Sequence, residues 1–112
     1  MEKRFTNKVV VITGATKGIG LACAERLKNE GAIVCAIQRG HSSLFDSFEF
    51  DLSKEQDCSM SIDAIIKKYG RIDVLINNAG MMKESSVLDT SLEEWNKTMA
   101  VNLTAPFLLT KF

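Results

Sequence analysis

The sequence is short of most residues that carry chemistry by themselves. It has one histidine, one tryptophan, one tyrosine and one proline. A lone histidine, His41, in a polar stretch reads as a surface residue, and with three scattered cysteines it gives no metal-ligand spacing. Cys23, Cys35 and Cys58 are odd in number and form no C-x-x-C pair. That excludes a disulfide framework, fits a reducing cytoplasm, and leaves the cysteines as small core fillers. An excess of charge is also missing: 14 basic and 14 acidic residues give a net charge of zero. With no basic stripe or acidic tail, neither nucleic acid nor a membrane surface is an expected partner. The early apolar run at residues 9–12 is far too short to cross a bilayer. The charged start at residues 1–8 has no apolar core of a signal peptide. No repeat, linker or low-complexity tract appears. What remains is a chain of 112 residues, 46% hydrophobic and 25% charged, the profile of one soluble globular domain.

Periodicity organises that chain. Residues 9–12, V-V-V-I, form a continuous β-branched run, the signature of a strand buried on both faces of a parallel sheet. A glycine-rich turn follows at residues 13–20. Ile19, Ala22, Cys23 and Leu27 then share one helix face, and Gly31 stands where a left-handed residue ends a helix. Residues 32–37 read as a second buried strand, 39–47 as a polar loop, and 48–50 as a short third strand. Ser53 and Gln56 have capping-box spacing, and Cys58, Ile62, Ile65 and Tyr69 share the face of the helix they open, which Gly70 stops. A fourth strand at 72–76 leads into a loop at 81–90. Ser91 and Glu94 then cap a third helix, whose Leu92, Trp95, Met99 and Leu103 form one stripe, with Trp95 and Met99 read as core. Such alternation of strands and helices predicts an α/β fold with a doubly wound parallel sheet.

The chemistry lies in the turns. Residues 13–20, T-G-A-T-K-G-I-G, follow a strand and open a helix, the context in which a glycine-rich turn binds a dinucleotide. Gly14 permits the tight turn, Gly18 lets backbone approach a pyrophosphate at the helix N-terminus, and Gly20 allows close helix–strand packing. The spacing T-G-x-x-x-G-x-G resembles the short-chain dehydrogenase/reductase family. Three further features match it: Asn77-Asn78-Ala79-Gly80 after the fourth strand, Asp51-Leu52-Ser53 after the third, and Asn102 in V-N-L within the third helix. Together they run the length of the chain.

The resemblance implies a Rossmann sheet of strand order 3-2-1-4, with residues 1–112 as the N-terminal part of a single NAD(P)-binding domain. It implies that Gly14, Thr16, Lys17, Gly18, Ile19, Gly20, Arg39, Asp51, Leu52, Asn78, Ala79 and Gly80 bind the coenzyme. Asn102 would take a catalytic role, and Asp51 would contact the adenine. On their own residue types, Asp51 could also be a helix cap and Asn77 and Asn78 turn formers only. Met81 and Met82 follow the turn, within reach of nicotinamide or substrate. NAD enzymes place an acid after the second strand, whereas this chain has Gln38 and then Arg39, with Lys17 in the glycine turn. Family members that prefer NADP(H) often carry such a pair, so NADP(H) is the expected coenzyme and NAD(H) the alternative. Read alone, both cations are also ordinary solvated side chains.

The family transfers hydride between nicotinamide and a carbonyl or alcohol, using a serine, a tyrosine and a lysine four residues after it. The only tyrosine here, Tyr69, has Asp73 four residues on and sits on an apolar helix face, so it is not that acid. The family's catalytic serine and Y-x-x-x-K would lie beyond Phe112. The resemblance thus points to the coenzyme half of a homo-oligomeric oxidoreductase for a small carbonyl or alcohol, nearest to the 3-oxoacyl-carrier-protein reductases and small-alcohol dehydrogenases. A non-catalytic nucleotide- or partner-binding product, or a piece without a function of its own, shares the same residues. Pro106 adds one local expectation. It cannot donate the helix bond back to residue 102, so the helix should distort there, and the family is thought to hold a water at that carbonyl.

Overall fold

The computed structural model describes residues 3–80 and 85–112. Four parallel strands, β1 (Val9–Thr13), β2 (Ile33–Gln38), β3 (Asp46–Glu49) and β4 (Val74–Ile76), stand in the order β3-β2-β1-β4. The helices are α1 (Gly18–Asn29), α2 (Glu55–Tyr69), α3 (Leu92–Met99) and α4 (Ala105–Lys111), with a π turn at Ala100–Thr104 joining the last two. The predicted doubly wound sheet and its strand order are both observed.

β1 shows why its apolar run is continuous: every residue is buried. Val9 and Val11 face a core shared with Cys58, Ile62 and Ile65 of α2 and Leu108 of α4. Val10 and Ile12 face the opposite core, with Ala24 of α1 and Phe45. Alternate side chains thus supply one layer each. Burying one such side chain stabilises by roughly 1.5–3 kcal/mol, so the two layers hold the sheet from both sides. Cys35 and Cys58 are buried in the first core, as expected of core fillers, and Cys23 is half-buried.

Several boundaries and faces differ from the sequence reading. β3 begins at Asp46, two residues before the expected 48. The Ser53–Gln56 capping box does not form: the N-cap of α2 is Lys54, with no side-chain bond. Ser53 instead gives both its N–H and its hydroxyl to Asp51 Oδ1, at 3.0 and 2.7 Å. A charged acceptor two residues away outcompetes the helix end for the serine. The Ser91 cap does form, its side chain accepting from Glu94 N–H. On α1 the buried residues are Gly20 and Ala24, while Ile19 is 78% exposed and Ala22 is also at the surface. Trp95 and Met99 are exposed rather than core, because no described element covers the α3 stripe.

The β2–β3 connection is unusually short. Seven residues, 39–45, join two parallel strands with no helix, where a dozen or more is usual. Phe45 folds back into the α1-side core, under the ammonium of Lys28 at 5.8 Å from the ring centroid. At the far end of α1, Glu30 is buried between Arg4 and Arg26. The Arg4 hydrogen bonds, with those of Arg26, hold its carboxyl down at about 2 against its burial.

Candidate coenzyme cleft

The C-terminal ends of the four strands open into one cleft of about 370 Å³. Clefts of roughly 300–1,000 Å³ are the usual size of small-molecule sites, and this end of an open α/β sheet is where they form. Its wall near β1 is the glycine turn. Gly14 has φ +71° and Gly18 φ +62°, a region costly for other residues. A Cβ at Gly18 would meet nothing within 4 Å, so the turn presents bare backbone at the start of α1. No side chain caps that helix, whose N-cap Lys17 makes no side-chain bond. Uncapped N–H groups and the positive end of a 12-residue helix dipole suit an anion there.

Gly20 works inward. A Cβ there would lie 2.0 Å from the Gly14 carbonyl oxygen and 2.4 Å from Asn78 Nδ2. The close packing expected of this glycine is therefore against the turn itself and against Asn78. That asparagine donates from Nδ2 to the carbonyls of Thr13 and Gly14, at 3.2 and 2.8 Å. Thr13 Oγ1 answers by accepting the N–H groups of Asn78 and Ala79, at 3.0 and 2.8 Å. Asn78 thus both lines the cleft and staples β4 to the glycine turn.

Asp51 is not the cap of α2, whose N-cap is Lys54. It lines the cleft and also accepts both Ser53 bonds on Oδ1. Those bonds, side chain first, hold its carboxyl below the usual carboxylate range against partial desolvation, helped by the charges of Lys54 and Arg39. Asp51 is therefore ionised at neutral pH, with Arg39 close enough to be felt.

Nine of the twelve residues expected at the coenzyme line this cleft: Gly14, Thr16 and Lys17; Arg39, Asp51 and Leu52; and Asn78, Ala79 and Gly80. Gly18, Ile19 and Gly20 are not among the residues that line it. Asn102 lies in the π turn just before Pro106 and does not line the cleft, though its Oδ1 sits 3.4 Å from where a Gly80 Cβ would be. The helix accommodates Pro106 by widening, with Ala105 N–H bonding to the Ala100 carbonyl, five residues back. Met81 and Met82 lie outside the described residues. Five lining residues were not among the twelve: Ile37, Gln38 and Phe50 at the strand ends, and, away from every motif, Lys97 and Val101. Their spacing of four on α3 and the π turn places both on one helix face, a signal that the exposed apolar stripe obscures. Tyr69 is far from this chemistry: its hydroxyl donates to Asp46, at the opening end of β3, and desolvation and that carboxylate push it well above the ordinary tyrosine range.

Residues 8–112 match the family model for short chain dehydrogenase. Meso-2,3-butanediol dehydrogenase of Serratia marcescens is 38% identical over 120 residues, covering 97% of this chain and 48% of the relative. The ligand-free aldohexose dehydrogenase of Thermoplasma acidophilum superposes with a TM-score of 0.91 at 36% identity, over 100% of this chain and 45% of that one. A metagenomic short-chain oxidoreductase in complex with NADP gives 0.89 at 32% identity, over 96% and 55%. The chain spans about half the length of the curated relatives it matches. The glycine turn, the N-N-A-G staple and the cleft they build belong to a member of the short-chain dehydrogenase family.

Proposed function

We propose that these residues form the coenzyme-binding part of an NADP(H)-dependent oxidoreductase acting on a small carbonyl or alcohol. The observation that carries the coenzyme choice is the cleft's edge, where Lys17 and Arg39 both line the site and no acid follows β2. A 2′-phosphate between two cations gains on the order of 1–3 kcal/mol from charge-assisted hydrogen bonds. The donor set fits such a coenzyme. The uncapped start of α1, bare at Gly18, would take the pyrophosphate. Asp51 offers an acceptor for the adenine amino group, and Leu52 an apolar wall. Ala79 and Gly80 leave room at the nicotinamide end, beside Asn102. Nicotinamide, when bound, supplies or accepts the hydride; these residues bind and orient it. The 3-oxoacyl-carrier-protein reductases and small-alcohol dehydrogenases are the nearest kind of activity for the whole protein.

The test is a fluorescence titration of the protein with NADPH and NADH. NADPH is expected to bind about five- to 150-fold more tightly, on the energy above. Equal or tighter NADH binding overturns the coenzyme assignment.

A further inference from the structure

Gln38 ends β2 at the point where an acid reads the ribose in NAD enzymes. Here its side chain is turned to other work. The residue is 7% exposed, and both ends of its amide are engaged. Oε1 accepts the Ala15 N–H at 3.1 Å, and Nε2 donates to the Gly40 carbonyl at 3.1 Å. A carboxamide accepts at one end and donates at the other without charge. A glutamate would set an acceptor against the Gly40 carbonyl, and an apolar side chain would leave the buried Ala15 N–H unmet.

The two anchor points matter because of their neighbours. Ala15 lies two residues before Lys17, within the glycine turn, and Gly40 directly follows Arg39. Both cations line the cleft. The seven-residue connection that carries Arg39 has no helix to stiffen it. Its far half is pinned by Ser47, whose Oγ accepts the Ser42 N–H at 2.8 Å and donates to the Ser42 carbonyl at 3.0 Å. Its near half is pinned by the Gln38 amide.

We propose that Gln38 is a positioning residue for coenzyme selection: by tying Ala15 to Gly40 it sets the separation of Lys17 and Arg39, making them one site for a 2′-phosphate. The same two bonds occupy the amide that could otherwise reach ribose hydroxyls. This role rests on the NADP(H) reading above, and the test separates the two.

The decisive variant is Gln38→Met, similar in length, uncharged and unable to make either bond. Affinities for NADPH and NADH are measured by coenzyme fluorescence in wild type, Gln38→Met, Arg39→Ala and the double variant, with circular dichroism as the check on folding. The expected result is a loss of about tenfold for NADPH and under about twofold for NADH, shrinking for NADPH in the Arg39→Ala background, because residues that act through one another are not additive. An equal loss for both coenzymes marks a merely structural glutamine and overturns the inference, as do additive losses in the double variant. Should Gln38→Met not fold, Gln38→Asn, which keeps the amide but falls one methylene short, carries the same expectations. A wild type that binds both coenzymes alike overturns the NADP(H) reading itself. A wild type that prefers NADPH, with the preference intact in Gln38→Met, overturns only the role of Gln38.

Discussion

Gly18 and Gly20 are two residues apart in the same turn, yet replacing each with alanine should have different consequences. At Gly20 the added Cβ would stand 2.0 Å from the Gly14 carbonyl oxygen, where ordinary contact begins near 3.4 Å. The obstacle is backbone, and it is held: Gly14 N–H donates to the Ile37 carbonyl at 3.1 Å, and Gly14 O accepts from Asn78 Nδ2 at 2.8 Å. Relief requires α1 to lift away or the Gly14 peptide to swing. Overpacking of this kind costs about 1–3 kcal/mol. Losing the Asn78 bond adds about 0.5–1.5 kcal/mol. Gly20→Ala should therefore destabilise by about 1.5–4.5 kcal/mol. Gly18→Ala meets no atom within 4 Å and pays only for its φ of +62°, about 1–2 kcal/mol. Urea unfolding of both variants, compared at unchanged m, measures the difference. A Gly20→Ala variant no less stable than Gly18→Ala would refute the argument that the turn is closed against the helix by contact.

The remaining predictions concern charge and reactivity. Glu30 has its carboxyl lowered from 4.5 to about 2, so its stabilising contribution is complete above 4.5 and is lost as pH falls through about 2. The acid-side decline of the urea midpoint between those values should flatten in Glu30→Gln, and an unchanged slope would contradict the Arg4–Glu30–Arg26 account. Lys97 lines the cleft without an ion pair among the described residues, so Lys97→Met should leave the urea midpoint alone while weakening coenzyme about two- to fivefold, the scale of one exposed charge. A fall in stability with unchanged binding would place Lys97 outside the site. Burial pushes the Cys35 thiol up to about 12, whereas Cys23 is only half-buried. Iodoacetamide at neutral pH, followed by peptide mass spectrometry, should label Cys23 first; early labelling of Cys35 would show that the sheet opens readily.

What the amino-acid order determined alone was everything that local geometry decides. Four β-branched residues at 9–12 can be satisfied only by burial on both faces, so the central strand, and with it the doubly wound fold, was legible. The glycine turn was legible because a tight turn into a helix start needs those residue types at that spacing. Ser91 was read correctly as a cap because Asp89, two residues before it, is taken by the Ser86 hydroxyl, which leaves the Ser91 oxygen to accept the Glu94 N–H. Ser53 has the same pattern and was misread, because Asp51, two residues away, draws its hydroxyl off. Other features depend on contacts between residues distant in sequence. The bonds of Asn78 to Thr13 and Gly14 span more than sixty residues, and those of Arg4 to Glu30 span 26. Lys97 and Val101 entered the cleft only once α3 was laid beside the strand ends. Gln38 shows the division most clearly. Its place directly after the second apolar run was legible, but its side-chain direction followed from the Ala15 N–H, buried behind the glycine turn and in need of an acceptor. A one-dimensional pattern records which groups are present, and only packing decides which of them are left unsatisfied and so where a polar side chain must point.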